Sequence, residues 1–137
     1  KIQIPTDIAL NIDGKRYGTN VSNLPQNNPL LDIGIDTLVN YINIIKDAGT
    51  IIANGPMGVF EDSEFATGTN EIFSAISRSE GMTVVGGGET AMAFNQMGLA
   101  NSIKHISTGG GACISFMSGE TMPALEAMRR SKRLFQK

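Results

Sequence analysis

Three short stretches of the sequence combine glycine with small polar or acidic side chains. Residues 54–58 are Asn-Gly-Pro-Met-Gly, residues 86–90 are Gly-Gly-Gly-Glu-Thr, and residues 108–111 are Thr-Gly-Gly-Gly. Each follows a short strand-like run, and the second and third precede segments that favour helix. A helix N-terminus offers free backbone N–H groups and a partial positive charge, and glycine lets an anion reach them because it has no Cβ. The pattern therefore favours phosphate binding.

Two other interpretations of these glycines compete with phosphate binding. One glycine run could serve simply as a tight strand-to-helix turn, but two runs after successive strands favour a phosphate site. Gly86, Gly88 and Ala91 also match the dinucleotide fingerprint G-x-G-x-x-A, which is followed by an acidic residue about 20 positions later. That position falls within residues 105–111, which contain no acid. An NAD-type site is therefore the weaker hypothesis.

The segments around these loops alternate between strand and helix. Apolar patterning predicts strands near residues 2–10, 50–54, 82–86 and 103–107, and Asp13-Gly14 is typical of a two-residue hairpin turn. Helices are predicted from an N-cap at Asp36 up to Gly49, and over residues 71–78, 89–97, 112–118 and 123–135. This alternation predicts a Rossmann-like, three-layer α/β/α fold with a mainly parallel sheet. In such sheets the ligand binds at the carboxyl ends of the strands.

Composition narrows the class of protein. With 137 residues, 41% of them hydrophobic, the chain is one domain or part of one. A net charge of −2 gives no basic face for nucleic acid, and no apolar run approaches the roughly 20 residues that cross a bilayer. Cys113 is the single cysteine, which excludes an intrachain disulfide. Without disulfides or a recognisable signal peptide, we expect the cytoplasm as the compartment.

The three motifs together resemble those of phosphoglycerate kinase. Residues 54–61 (NGPMGVFE), 86–90 (GGGET) and 105–112 (HISTGGGA) occur in that family's order and spacing, and the upstream segments IPTDIAL and LDIGIDT are also similar. The resemblance covers nearly all of residues 1–122. It implies that residues 1–119 are the second half of the C-terminal nucleotide-binding domain of a longer enzyme. Residues 120–137 would form a helix and tail that return towards the N-terminal domain.

The resemblance also implies an activity and its ligands. The family transfers a phosphoryl group reversibly between 1,3-bisphosphoglycerate and ADP, with Mg²⁺ accompanying ADP or ATP. The phosphoglycerate would bind to the missing N-terminal domain, and the full-length protein is expected to be a monomer. We expect the 137-residue chain alone to be inactive, to bind nucleotide weakly, and to self-associate or pair with its missing segment through exposed apolar surface. A non-catalytic nucleotide- or phosphate-binding module is the alternative function.

Family roles carry over to individual positions of this sequence. The implied nucleotide-binding residues are Leu31, Asn54, Gly55, Pro56, Val59, Glu61, Gly87, Gly88, Glu89 and Thr90. The implied catalytic residues, which face the transferring group, are Gly109, Gly110 and Gly111. Leu31 would form a wall of the adenine pocket, Val59 would pack on sugar and base, and Glu61 would accept from the ribose hydroxyls.

Some of these positions have simpler interpretations. Glu89 stands where the family most often has Asp, the residue that bears on the Mg²⁺ of the nucleotide. Its extra methylene leaves two alternatives, direct contact with the ion or contact through a water, because Mg²⁺ demands tight octahedral geometry and keeps its waters readily. Glu61 could instead be an acid in the first turn of a helix, and Leu31 could be ordinary core. His105 is interpreted as structural. Cys113, in a first helical turn, is interpreted as a packing residue rather than a reactive thiol.

Overall fold

The computed structural model describes residues 1–135, and residues 136 and 137 of the predicted tail lie outside this range. The first three strands form an antiparallel sheet in the order β2-β1-β3, with β1 (Asp7–Ile12), β2 (Lys15–Asn20) and β3 (Leu30–Ile33). Asp13 and Gly14 have φ of 53° and 79°, as a type I′ turn requires, so the predicted hairpin is confirmed.

The prediction that residues 2–10 form a strand of the parallel core is wrong. The strand begins at Asp7, and both of its neighbours run antiparallel to it in a separate sheet. The two-residue turn brings β2 back along β1, and β3 occupies the other edge of β1. The strand pattern of residues 2–10 did not reveal which sheet it would join, because its partner β3 lies where no strand was predicted.

The second sheet is parallel, as predicted. It contains β4 (Thr50–Ala53), β5 (Met82–Gly86) and β6 (His105–Ser107) in that order. Ile52 of β4 lies opposite Val84 of β5, and Val85 lies opposite Ile106 of β6. Because the three strands are parallel and adjacent, their carboxyl ends lie along one edge of the sheet.

Within the described residues, five α-helices accompany the two sheets: α1 (Ile35–Lys46), α2 (Thr67–Ser77), α3 (Gly88–Gln96), α4 (Gly111–Met117) and α5 (Pro123–Phe135). None of the helices within residues 1–135 has the length and apolar character needed to cross a membrane. α2 begins four residues before the predicted start, whereas the starts of α3, α4 and α5 agree with prediction to within one residue. α5 is exposed along its whole length.

The prediction that Asp36 caps α1 is wrong. The N-cap residue is Gly34, which has no side chain, and Asp7 of β1 supplies the capping carboxylate instead. The backbone N–H of Thr37 donates to Asp7 Oδ1 at 2.7 Å, and that of Asp36 donates to Oδ2 at 3.1 Å. The first turn of α1 is therefore satisfied from a neighbouring strand rather than from its own sequence.

The core lies between the parallel sheet and helices α1 to α3. Ile51, Ala53 and Val85 are buried on one face of the sheet, where the rings of Phe73 and Phe94 stack with their centroids 4.2 Å apart. Ile52 lies on the opposite face, where it is half exposed. The predicted α/β class with a parallel sheet is thus confirmed. The strands packed on this core are the ones that lead into the loops after β4, β5 and β6.

Candidate functional site

The loops that follow β4, β5 and β6 lie along the carboxyl edge of the parallel sheet. They contain residues 54–58, Gly87 and residues 108–110, which belong to the three glycine-bearing stretches singled out in the sequence. A cleft of about 740 Å³ lies at the opposite edge, among residues that include Lys46, Arg78 and Gly81. It is remote from all three loops and contains none of the predicted site residues.

Two contacts join the first loop to the second. The backbone N–H of Gly55 donates to Thr90 Oγ1 at 2.7 Å, and Thr90 is only 2% exposed. The Asn54 side chain lies beside Gly87, where an added Cβ would stand 3.2 Å from Asn54 Oδ1. Thr90, predicted as part of a phosphate turn, therefore also ties the two loops together, and its hydroxyl keeps one proton to donate.

The third loop meets the second through α4. Cys113 is half-buried, and its Sγ lies 3.6 Å from the position of a Cβ added at Gly86. Its surroundings fit the packing role predicted for it. Within the third loop, Ser107 Oγ accepts from the backbone N–H of Gly109 at 3.2 Å. The three loops thus form one contiguous rim.

Glycines start both helices that leave this rim. Gly87, the N-cap residue of α3, has a φ of 93°, and Gly110, the N-cap residue of α4, has a φ of 52°. Both values lie in the region that residues with a Cβ rarely adopt. At Gly88 and Gly111, which follow them, an added Cβ would meet nothing within 4 Å. The space in front of these two residues is open to an incoming group.

Val59 and Glu61 follow residues 54–58 in the loop after β4, and Leu31 of β3 lies next to Val59. The backbone N–H of Val59 donates to the carbonyl oxygen of Leu31 at 2.9 Å, and Leu31 is half-buried while Val59 is 40% exposed. Glu61 is exposed in the turn that precedes α2. Because α2 begins at Thr67, the interpretation of Glu61 as a first-turn helix acid is wrong.

Glu89, the acid considered for Mg²⁺, is exposed in the first turn of α3. Within residues 1–135 no group of three or more His, Cys, Asp or Glu side chains is clustered as a metal site. A lone exposed carboxylate beside the predicted phosphate turn fits an ion that is held chiefly by phosphates and waters, as Mg²⁺ commonly is. Glu89 is therefore compatible with a metal that arrives with a ligand.

Two residues that position the first loop were not found from the sequence. Asp32 has a fully buried side chain and accepts from Arg16 Nη1 at 2.7 Å and from the N–H of Gly68 at 2.8 Å. Thr69, also fully buried, accepts from the N–H of Met57 and Gly58. Asp32 lies in the LDIGIDT segment that resembles the family, but no local pattern marks the role of either residue, because each acts on a segment that only the fold brings near.

Comparison with known proteins decides the family. Residues 1–120 match the family model described as "Phosphoglycerate kinase". The chain belongs to the phosphoglycerate kinase family. It is 48% identical over 136 residues to the phosphoglycerate kinase of Thermoplasma volcanium, covering 99% of this chain and 33% of that protein.

Solved phosphoglycerate kinase structures agree with this assignment. The enzyme from Pyrococcus horikoshii OT3 matches with a TM-score of 0.82 and 41% identity, over 96% of this chain and 33% of the other. The enzyme from Coxiella burnetii matches with a TM-score of 0.82 and 33% identity, over 90% of this chain and 33% of the other. The predicted resemblance to phosphoglycerate kinase is therefore confirmed, and the chain spans about a third of the length of these relatives.

Proposed function

We propose that this chain is the nucleotide half-site of a phosphoglycerate kinase. One observation carries the proposal: α3 and α4 both start with glycines on one rim, and a Cβ added at Gly88 or Gly111 would meet nothing within 4 Å. Phosphoryl transfer asks a protein chiefly to position its reactants and to stabilise charge, and N–H groups at such helix starts do both. Residues 1–119 would be the second half of the nucleotide-binding domain, and residues 120–137 the return towards the domain that binds phosphoglycerate.

In this proposal the nucleotide lies along the rim. The phosphates of ADP or ATP would meet Gly87, Gly88 and Thr90, where the dipole of α3 favours negative charge. The adenosine would extend past residues 54–56 to Leu31 and Val59, with Glu61 accepting from the ribose hydroxyls.

Gly109, Gly110 and Gly111 would face the moving phosphoryl group. That group leaves the acyl phosphate of 1,3-bisphosphoglycerate for the terminal phosphate oxygen of ADP, giving 3-phosphoglycerate and ATP. The N–H groups of the third loop would stabilise its negative charge in the transition state. Mg²⁺ bound to the nucleotide would neutralise phosphate charge, with Glu89 holding one of its waters.

An assay of the full-length product of the gene that encodes this chain tests the proposal. With ATP, Mg²⁺ and 3-phosphoglycerate we expect coupled-assay turnover, and by calorimetry we expect ADP-Mg²⁺ to bind and NAD not to bind. Binding of ADP without turnover would leave the non-catalytic nucleotide-binding module as the function, and binding of NAD instead would refute the nucleotide assignment.

The 137-residue chain alone is expected to show no turnover. Arginine or lysine commonly contributes much of the charge stabilisation in such reactions. Within residues 50–95 the one cation is Arg78, which follows the last residue of α2 on the side away from the rim, so this stretch offers no cation to the phosphates.

A further inference from the structure

Thr69 holds the loop that carries Val59. It lies in the first turn of α2 and is fully buried. Its Oγ1 accepts from the backbone N–H of Met57 at 3.1 Å and from that of Gly58 at 3.2 Å. Two consecutive amides of an otherwise irregular loop thus share one side-chain acceptor, immediately before Val59.

Asp32 also contacts the first turn of α2, which carries Thr69. It accepts from the N–H of Gly68, the residue before Thr69, and is paired with Arg16 of the hairpin. Gly58 and Gly68 both pack directly on its carboxylate, since a Cβ added at either would clash with it. The turn of α2 that carries Thr69 is therefore held by a buried carboxylate, that of Asp32, which Arg16 pairs from a partly exposed position.

We infer that Thr69 is a positioning residue for the nucleoside end of the proposed site, with Asp32 as its support. This rests on the proposed function. The amide of Val59, next along the chain, donates to the carbonyl of Leu31 at 2.9 Å, so the two predicted adenosine-contacting residues share one backbone link. Without the Thr69 acceptor, the amides of Met57 and Gly58 lose their partner and this link loosens.

The phosphate end is held separately. Gly55, on the other side of the loop, donates to Thr90 at 2.7 Å, and Thr69 takes no part in that contact. Loss of the Thr69 hydroxyl should therefore weaken binding of the nucleoside without disturbing the groups nearest the transferred phosphoryl. A change in nucleotide KM with little change in kcat is the expected signature.

Three variants of the full-length gene product test this inference. Thr69→Val removes the acceptor at nearly constant volume, and Thr69→Ser restores it. Thr83→Val is the matched control: Thr83 is also fully buried and accepts one backbone N–H, that of Lys104 at 3.0 Å, but it lies near the amino end of β5.

We expect Thr69→Val to raise the nucleotide KM about tenfold while kcat stays within about twofold and the phosphoglycerate KM is unchanged. Thr69→Ser and Thr83→Val should keep the wild-type nucleotide KM. Amide hydrogen exchange at Met57 and Gly58 should be faster in Thr69→Val than in Thr83→Val at equal overall stability.

Equal effects of Thr69→Val and Thr83→Val on the nucleotide KM would overturn the inference, as would unchanged exchange at Met57 and Gly58. If the wild-type protein itself has no kinase activity, the proposed function fails. The inference is then still decided by the exchange rates together with ADP affinity measured by calorimetry.

Discussion

Replacing Gly88 with alanine tests whether this glycine serves a ligand site or only a turn. Gly88 is the first residue of α3, its φ is not positive, and a Cβ there would meet nothing within 4 Å. Alanine therefore fits the folded protein without strain. Because it restricts the unfolded chain, Gly88→Ala should stabilise the protein by about 0.5 kcal/mol.

In the proposed site, the same methyl group would stand where a phosphate approaches the start of α3. A hydrogen bond to a charged group is worth about 1.5–3 kcal/mol. Losing one such bond corresponds to a loss of affinity of about 10- to 150-fold, at about 1.4 kcal/mol for each factor of ten. The variant should thus be slightly more stable and bind ADP-Mg²⁺ far more weakly.

Calorimetric titration with ADP-Mg²⁺ and thermal unfolding of the same full-length samples measure both effects. Gly49→Ala is the control, because Gly49 is equally open and has no positive φ but lies just before β4, at the far edge of the sheet. The ADP affinity of Gly49→Ala should equal that of the wild-type protein. Wild-type affinity in a well-folded Gly88→Ala protein would show that this glycine serves only the turn.

Three further predictions concern stability, catalysis and assembly. Burial raises the pKa of Asp7, but hydrogen bonds from the Thr37 hydroxyl and from the N–H groups of Thr37 and Asp36 outweigh it and lower the pKa below 3.8. Asp7→Asn should therefore cost about 1 kcal/mol in urea unfolding at pH 7, and the difference should shrink at acid pH, as the pH falls through the lowered pKa of Asp7 in the folded protein and its carboxylate takes up a proton; a difference independent of pH would contradict this. Gly110 has a φ of 52°, so valine at this position strains the backbone. In the full-length enzyme, Gly110→Val should lower kcat about 100-fold and change the nucleotide KM less. A raised nucleotide KM with unchanged kcat would refute this prediction. The 137-residue chain should self-associate in sedimentation experiments through exposed Ile44, Ile52 and Met82, and a monodisperse monomer would count against this.

Features that depend on neighbouring residues were predictable. The Asp13-Gly14 turn, the parallel strands β4, β5 and β6, and the glycine-started helices follow from turn chemistry and apolar periodicity. The motifs also indicated the family, because three short patterns in order are far more specific than any one of them. The roles proposed for residues of the rim rest on that resemblance together with the open glycines.

Tertiary structure decided the features whose partners are far apart in the chain. Asp7 caps a helix 30 residues away, and Asp32 holds the N–H of Gly68 from 36 residues away. Each is a buried or partly buried polar group that gains stability only when a distant segment supplies its hydrogen-bond partner. Strand pattern alone likewise could not predict that β1 joins an antiparallel sheet, because this depends on its pairing with β2 and with β3, which is more distant in the sequence. Amino-acid sequence therefore determined the local elements and the family, whereas the packing of distant segments determined which side chains hold the loops of the rim in place.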